Sequence, residues 1–227
     1  MNKLVVLSGA GVSQESGLET FRDKGGIWEN HRIEDVATPQ AFEKNPEKVL
    51  NFYNERRKQL LQLKPNQAHH YIASLENYYQ VSVVTQNIDN FHEQAGSTNV
   101  IHLHGELLKS KTNYYLDKIY DQNEDIKLGD TDDKGHQLRP HVVWFGEVVP
   151  LMPVAIDVCQ KADIALVIGT SLQVYPAAGL INELSENTKV YLIDPYPQVN
   201  PDRNLEIIQD KAVSGMKKLY TQLINTN

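Results

Sequence analysis

Four short, nearly continuous apolar runs are distributed along the chain, and a polar or glycine-containing turn follows each of them. The runs span residues 4–7, 81–85, 164–168 and 190–193. They lack the apolar/polar alternation of a strand with one wet face, and are typical of strands buried on both faces of a parallel sheet. Ligands of such sheets bind beyond the carboxyl ends of the strands, which is where these polar turns lie.

Helical patterns occupy segments between the apolar runs, at residues 46–62, 66–77 and 176–187. Parallel neighbouring strands need crossover connections of this kind. The sequence therefore predicts an α/β fold, a doubly wound parallel sheet of the Rossmann type with a small inserted subdomain. We expect one domain over residues 1–227, with 1–30, 66–106 and 140–227 forming the Rossmann-like part, about 31–65 forming a helical insertion and 107–139 forming a small insertion without clear periodicity.

Charge and run length exclude several function classes. The 227 residues contain 22 Lys and Arg against 29 Asp and Glu, and no basic block that would neutralise phosphates, so we expect no direct nucleic-acid partner. No apolar run approaches the length of a membrane span or of a signal-peptide core, and we expect a cytoplasmic protein without a membrane contact. The single cysteine, Cys159, is expected to pack in the core.

A glycine turn follows the first apolar run, in the sequence Gly9-Ala10-Gly11-Val12-Ser13. Its two glycines would let backbone N–H groups approach a diphosphate closely. The turn is a weak signal by itself, because Gln14 stands where a Rossmann fingerprint has its third glycine, and a tight turn without a ligand is the alternative. A long polar loop punctuated by glycines follows, which a purely structural connection does not need.

The whole block GAGVSQESGLETFRDKGGIW resembles the first NAD-binding signature of the sirtuin family. Residues 85–92, TQNIDNFH, and 101–106, IHLHGE, resemble two further signatures, and residues 145–147 and 169–171 match in kind and order. The resemblance implies an NAD-dependent enzyme that removes acyl groups from lysine side chains of proteins or peptides, giving nicotinamide, O-acyl-ADP-ribose and free lysine.

The resemblance also implies roles for individual residues. His104 would be the general base, a role that suits an imidazole because it titrates near neutral pH. His102, two residues earlier on an extended segment, would face the opposite side and be structural. The implied cofactor-binding residues are Gly9, Ala10, Gly11, Ser13, Glu15, Thr20, Phe21, Arg22, Trp28, Gln86, Asn87, Ile88, Asp89, Gly169, Thr170, Ser171 and Asp194. The implied substrate-binding residues are Tyr53, Arg56, Phe145, Gly146, Glu147 and Val174.

Two departures from the family pattern affect these expectations. Most sirtuins bind a structural zinc through two CxxC pairs, whereas residues 107–139 contain no cysteine, so we expect no zinc. Asp132, Asp133 and His136 could ligate a metal in principle, but a solvated acidic loop is the favoured interpretation. Asp194 stands where family members usually have asparagine near the adenosine ribose.

The predicted helix over residues 46–62 indicates the substrate class. Val49, Tyr53, Arg56 and Leu60 fall on one face, which places Arg56 in an apolar stripe with the Tyr53 hydroxyl beside it. A guanidinium and a phenol together would bind a carboxylate well. The pair resembles the Tyr-x-x-Arg of class III sirtuins, which remove succinyl, malonyl or glutaryl groups. The alternative is that Arg56 belongs to a solvated charged run at 55–58.

Two other functions remain open on the sequence. One is an ADP-ribosyltransferase or NAD hydrolase, built on the same cofactor site. The other is a non-catalytic NAD-sensing module, motivated by the missing zinc cysteines, although His104 is retained.

Overall fold

The computed structural model describes residues 1–20, 31–114, 118–170, 177–197 and 204–225. Its strands are β1 (Lys3–Ser8), β2 (Gln80–Thr85), β3 (Val100–His102), β4 (Gly105–Lys111), β5 (Ile119–Asp121), β6 (Arg139–Val142), β7 (Ile164–Ile168), β8 (Lys189–Ile193) and β9 (Leu205–Ile208). Its α-helices are α1 (Ala10–Gln14), α2 (Ile33–Val36), α3 (Pro39–Lys44), α4 (Pro46–Gln62), α5 (Gln67–Ser74), α6 (Phe91–Ala95), α7 (Met152–Gln160) and α8 (Ala212–Asn225). Short 3-10 helices span Leu75–Asn77 and Ala177–Glu183.

The large sheet has six strands in the order β3-β2-β1-β7-β8-β9, and every neighbouring pair is parallel. This confirms the predicted doubly wound α/β fold. β1 lies in the middle with β2 on one side and β7 on the other, so the crossovers leave it in opposite directions and open a crevice at its carboxyl end. The four predicted strands are present, and β3 and β9 join them at the two edges.

Apolar side chains cover both faces of the large sheet, as the continuous runs predicted. On one face Leu4 and Val6 pack with α5 and α8, and on the other Val5 and Leu7 pack with α7. Cys159 of α7 is fully buried in the second cluster, as expected, and burial raises the pKa of its thiol to about 12. A third cluster joins α4 to Trp144.

Helix α4 has the predicted bounds because its N-terminus carries clear signals. Asn45 accepts a hydrogen bond from the Lys48 amide, and Pro46 occupies the first turn. The helix predicted over 66–77 is α5 followed by a 3-10 turn, and that predicted over 176–187 is the 3-10 helix Ala177–Glu183. No helix among the described residues is long and apolar enough to cross a membrane.

A small antiparallel sheet of order β5-β4-β6 forms the insertion around residues 107–139. It is attached to α4 by the Asn54 side chain, which donates to the Ile126 carbonyl and accepts from the Ile126 amide, both at 2.9 Å. Ile126 is buried with the α4 cluster. The amide thus holds an irregular segment of the insertion as a strand partner would.

The expectation of a solvated acidic loop at 132–136 was wrong for Asp132. Its side chain has 0% exposure and accepts hydrogen bonds from the amides of Lys134 and His136, both at 2.9 Å. Asp133 does face solvent, where it pairs with Lys118 at 3.4 Å. Asp132 therefore organises a tight turn, since its carboxylate satisfies backbone donors that water would otherwise have to satisfy.

Candidate functional site

The turn after β1 packs directly against the turn after β7. The Gly9 amide donates to the Ile168 carbonyl at 3.1 Å, and the Gly11 amide donates to the Gly169 carbonyl at 2.9 Å. A Cβ at Gly11 would lie 2.8 Å from the Gly169 Cα, and one at Gly169, where φ is +63°, would lie 2.2 Å from the Val12 nitrogen. The glycines are required by this backbone contact, in which the Gly9 and Gly11 amides are already used, and their predicted role at the cofactor stays a prediction.

The loop after β2 brings three predicted cofactor residues to the crevice. The buried Asn87 side chain donates to the Gly9 carbonyl at 3.1 Å and to Ser13 Oγ at 3.2 Å. Ser13 Oγ in turn donates to Asp89 Oδ2 at 3.0 Å. Gln86 Nε2 donates to Thr170 Oγ1 at 3.1 Å, which joins this loop to the turn after β7. The carboxyl ends of β1, β2 and β7 thus meet in one hydrogen-bonded group.

Two buried histidines support this group from behind. His92 Nε2 lies 3.0 Å from Ser8 Oγ, and His69 Nε2 lies 3.5 Å from Ser13 Oγ, with the two rings 4.9 Å apart. Burial lowers the pKa of His69 to about 4 and places that of His92 well below its usual value. Both rings are therefore neutral at physiological pH, and sequence reasoning missed them because a helical histidine carries no distinctive signal.

His104 has the geometry of a base. It lies in the turn between β3 and β4, where Nδ1 is 2.9 Å from the Gln86 carbonyl. A carbonyl oxygen can only accept, so Nδ1 carries the proton of the neutral ring and Nε2 keeps its lone pair. Burial lowers the pKa of His104, although the hydrogen bond to Gln86 raises it. The lowered pKa favours the neutral form of the ring. His102, by contrast, is 8% exposed and contacts Glu93.

A pocket at this edge of the large sheet combines predicted cofactor residues with one predicted substrate residue. Its lining consists of Ala10, Ser13, Leu18, Glu19, Arg56, Leu60, Asn87, Ile88, Asp89 and Leu107. Leu18, Glu19, Leu60 and Leu107 are contributions that the motif comparison missed, and only the apolar face of α4 could have indicated Leu60. Arg56 therefore shares one cavity with the polar group around Asn87.

Helix α4 places Tyr53 and Arg56 at different depths. Tyr53 is 4% exposed, and its hydroxyl accepts from Trp144 Nε1 at 3.0 Å, so it still has a proton to donate. Arg56 is partly buried, and burial lowers its pKa while the charges of Glu19, Tyr53 and Asp89 oppose that shift. Arg56 is therefore not fully solvated, and its role in substrate binding stays a prediction.

The most buried arginine of α4 is Arg57, which sequence analysis placed in the charged run at 55–58. It is 1% exposed and donates from Nη1 to Asn54 Oδ1 at 2.7 Å and from Nε to the Leu107 carbonyl at 3.2 Å. Burial lowers its pKa to about 10. The assignment to a solvated run was wrong because the insertion covers this face of the helix and offers acceptors to the guanidinium.

The predicted substrate loop is held by an ion pair. Glu147 accepts from Arg139 Nη1 and Nη2 at 2.7 and 3.0 Å and from the Trp144 amide at 2.7 Å. Its carboxylate therefore shapes the loop, and its predicted contact with the substrate stays a prediction. Phe145 is 41% exposed and Gly146 has a φ of +92°, so the turn presents its apex to solvent.

Other predicted residues have different surroundings or lie elsewhere. The Glu15 carboxylate accepts from the Val213 amide at 2.8 Å and so caps α8, and its assignment to the cofactor stays a prediction. Asp194 Oδ1 accepts from the Tyr196 amide at 2.7 Å just beyond β8, and Thr20 is buried. Phe21, Arg22, Trp28, Ser171 and Val174 lie outside the described residues.

Comparison with known sequences identifies close relatives. A sequence profile described as the Sir2 family matches residues 9–176. An NAD-dependent protein deacylase of Bacteroides thetaiotaomicron is 48% identical over 231 residues and covers 99% of both chains. Another, of Helicobacter pylori strain 26695, is 48% identical over 225 residues, covering 99% of this chain and 98% of the relative. One of Aggregatibacter actinomycetemcomitans is 54% identical over 193 residues, covering 85% and 93%.

Solved structures give the same result. A Sir2 homologue–NAD complex has a TM-score of 0.89 at 38% identity and covers 99% of this chain and 90% of its own. A mutant Sir2 homologue bound to ADP-ribose has a TM-score of 0.91 at 37% identity, covering 99% and 92%. A Sir2 mutant with a deacetylated p53 peptide and 3′-O-acetyl ADP-ribose has a TM-score of 0.84 at 29% identity, covering 97% and 93%.

Proposed function

The chain belongs to the Sir2 family and is an NAD-dependent protein deacylase acting on acylated lysines, and from this premise we propose that it prefers acyl groups ending in a carboxylate. Succinyl and malonyl groups are the expected substrates, with acetyl a poorer one. The non-catalytic sensing alternative is set aside, because the chain is an enzyme.

The observation that carries the proposal is Arg56 in the pocket wall. Its guanidinium is partly desolvated, as the lowered pKa indicates, and shares the pocket with Asn87 and Asp89. A desolvated cation gains most from an anion that enters the same low-dielectric space. Glu19, whose charge opposes the lowering of the Arg56 pKa, is exposed to solvent, where water screens its charge.

Tyr53 supports the same function from one turn earlier on α4. The Trp144 Nε1–H occupies one acceptor site of its hydroxyl and thereby fixes the orientation of the group. Burial raises the pKa of Tyr53, so the phenol keeps its proton and can donate to an acyl carboxylate. A cation and a neutral donor on one face of the helix would together discriminate a carboxylate from a methyl group.

His104 is the proposed general base of the reaction. With Nδ1–H directed at the Gln86 carbonyl, Nε2 can accept a proton from a ribose hydroxyl of NAD. The donor and acceptor set around Asn87, Ser13 and Asp89 fits a nicotinamide riboside, which offers an amide and two hydroxyls. Bound NAD would supply the electrophilic ribose carbon that the acyl oxygen attacks, with nicotinamide as the leaving group.

We also propose that the insertion folds without zinc. Residues 107–139 contain no cysteine, and other contacts join this region to the rest of the chain. The Arg139 guanidinium lies 3.3 Å from the Trp144 ring centroid and pairs with Glu147, while Asn54 binds Ile126. These contacts supply the cross-links that a tetrahedral metal would otherwise supply.

The test compares catalytic efficiency on acetyl, malonyl and succinyl forms of one peptide. Arg56→Met should reduce desuccinylation by about 2–5 kcal/mol in kcat/KM, because the acyl carboxylate would be left desolvated and unpaired. Deacetylation should change far less, since the acetyl group is too short to use that contact. Lys58→Met is the matched control, as it removes an exposed cation of the same helix.

Two outcomes would contradict the proposal. Equal losses on the acetyl and succinyl peptides would make Arg56 a structural residue and leave an ordinary deacetylase. Release of ADP-ribose at the full rate without any acylated peptide would instead favour the NAD-hydrolase alternative.

A further inference from the structure

Two histidines of one short segment contact two adjacent carbonyls of the cofactor loop. His104 Nδ1 is 2.9 Å from the Gln86 carbonyl, and His102 Nδ1 is 3.1 Å from the Asn87 carbonyl. The second ring nitrogens differ in surroundings, since His102 Nε2 lies 2.7 Å from Glu93 Oε1. The catalytic proposal uses His104 and leaves the His102–Glu93 pair without a role.

The oxygen atoms around His102 determine its protonation state. A carbonyl and a carboxylate can only accept hydrogen bonds, so both ring nitrogens must donate, which a neutral imidazole cannot do. The alternative is a neutral His102 beside a protonated Glu93, which would require the pKa of Glu93 to be raised. Burial raises the pKa of Glu93, but the hydrogen bond and charge of His102 outweigh it and leave that pKa below its usual value. His102 is therefore the imidazolium partner of an ionised carboxylate.

The charges around His102 come from three elements. Glu93 lies on α6, Glu106 on β4 and Asp89 in the loop after β2, and all three favour the imidazolium. Buried His92 is neutral, and Lys109, which pairs with Glu106 at 3.0 Å, is the opposing cation. Although burial lowers the pKa of His102, Glu93 raises it above the usual value, because it contributes both a hydrogen bond and a charge.

We propose that His102 and Glu93 are positioning residues for the cofactor loop, in which a doubly protonated His102 holds the Asn87 carbonyl and Glu93 holds the second proton. The Asn87 side chain, fixed through this backbone contact, reaches Gly9 and Ser13. Burial raises the pKa of Asp89, and the His102 charge opposes this rise together with the hydrogen bonds from the Phe91 amide and Ser13. The inference rests on the proposed placement of Asn87 and Asp89 at the cofactor and is independent of the acyl preference.

Nitrogen NMR of the histidine rings in the wild-type protein tests the central step. At neutral pH we expect two protonated ring nitrogens for His102 and one for His104, assigned by loss of the signals in His102→Asn and His104→Ala. A neutral His102 ring would overturn the proposal. So would a metal-bound Nε2, a relevant outcome because ligand atoms of Glu93, His102 and Glu106 lie within 4.8 Å of one another.

The pH profile tests the functional consequence. Loss of the His102 proton at high pH should raise KM for NAD, and Glu93→Gln should move this alkaline limb to lower pH by about one unit or more. Within the shifted range, kcat/KM for NAD should fall by about ten- to a hundredfold while KM for the peptide stays unchanged. Glu106→Gln is the control, because it removes a nearby charge without the hydrogen bond and should shift the limb less.

His102→Asn separates positioning from folding. Asparagine keeps a donor in the place of Nδ1–H but does not titrate, so the variant should lose the alkaline limb assigned to His102 and keep the thermal stability of the wild type within a few degrees. An unchanged limb in both Glu93→Gln and His102→Asn would overturn the positioning role. That result would leave the proposed deacylase function intact, since it depends on His104 and Arg56.

Discussion

The two walls of the pocket hold buried polar groups of opposite kinds. On the side of the large sheet, Ser13 and Asn87 are backed by His69 and His92, which burial keeps neutral. On the side of α4, the charged group in the pocket is the partly buried Arg56, which stays charged at every physiological pH. One wall thus suits amides and hydroxyls and the other suits an anion, and only the first responds to pH.

The largest effect is expected when the proposed base, His104, is removed from the sheet side of the pocket. His104→Ala should reduce deacylation by two or more orders of magnitude, roughly the contribution of a general base, because alanine removes the Nε2 acceptor. NAD binding, measured by calorimetry, should largely survive, since the Asn87 contacts remain. His70→Ala is the control, as His70 is exposed on α5. Near-normal turnover of His104→Ala would contradict the assignment.

Acidification should lower the stability of the protein through the buried histidines on the sheet side of the pocket. The charge of Arg56 on the α4 side should not change. His69 takes up a proton near pH 6.5 when unfolded but only near 4 when folded, so the unfolded state binds more protons between these values. Stability therefore falls as pH decreases through this window, by about 3 kcal/mol from His69 alone. Urea unfolding at neutral pH and at about pH 5 measures the effect.

The matched variant for this prediction is His69→Gln. Glutamine is polar but does not titrate, so the difference between the two unfolding free energies should become smaller. If wild type and variant lost the same stability on acidification, the pH dependence would have to come from other groups.

A smaller effect is expected on the α4 wall. Tyr53→Phe should lower the succinyl-to-acetyl ratio of catalytic efficiencies in the same direction as Arg56→Met, but only by about 0.5–1.5 kcal/mol, because it removes a neutral donor and leaves the charge in place. The variant also leaves Trp144 Nε1 without its acceptor, so thermal melting should be measured alongside. A ratio equal to that of the wild type would exclude Tyr53 from acyl recognition.

The last prediction is that treatment with a chelator has no effect on the protein. Prolonged treatment with a strong chelator should leave activity and melting temperature unchanged, and metal analysis should find no stoichiometric zinc. One tightly held zinc per chain, lost together with activity, would show that histidine and carboxylate ligands have replaced thiolates.

Sequence reasoning predicted the large sheet well where strands are continuous apolar runs. It missed β3, which has three residues and ends in His102, and β9, whose four residues include Glu206. Such short edge strands are defined by their hydrogen-bonded neighbours, and a single sequence does not contain that information. The small sheet was likewise expected only as an insertion without periodicity.

In the candidate site, too, some features were predicted from the sequence and others were missed. Motifs placed Asn87, Asp89 and His104 in one crevice, because strand ends of a parallel sheet meet at one edge. They could not show that Glu15 caps α8 or that Glu147 pairs with Arg139, since both partners are distant in sequence or set by a turn. Helix phasing identified Arg56 but missed Arg57, whose burial depends on the Leu107 carbonyl and so on the insertion.

The contact between the Asn54 side chain and the Ile126 backbone has a consequence for the position of Arg56. The Asn54 amide satisfies both backbone groups of Ile126 from the middle of α4, and Arg56 lies two residues further along the same helix. The segment around Ile126 and the Arg56 side chain are therefore anchored to the same stretch of helix. We expect a change in the position of this segment of the insertion to alter the position of the Arg56 guanidinium as well.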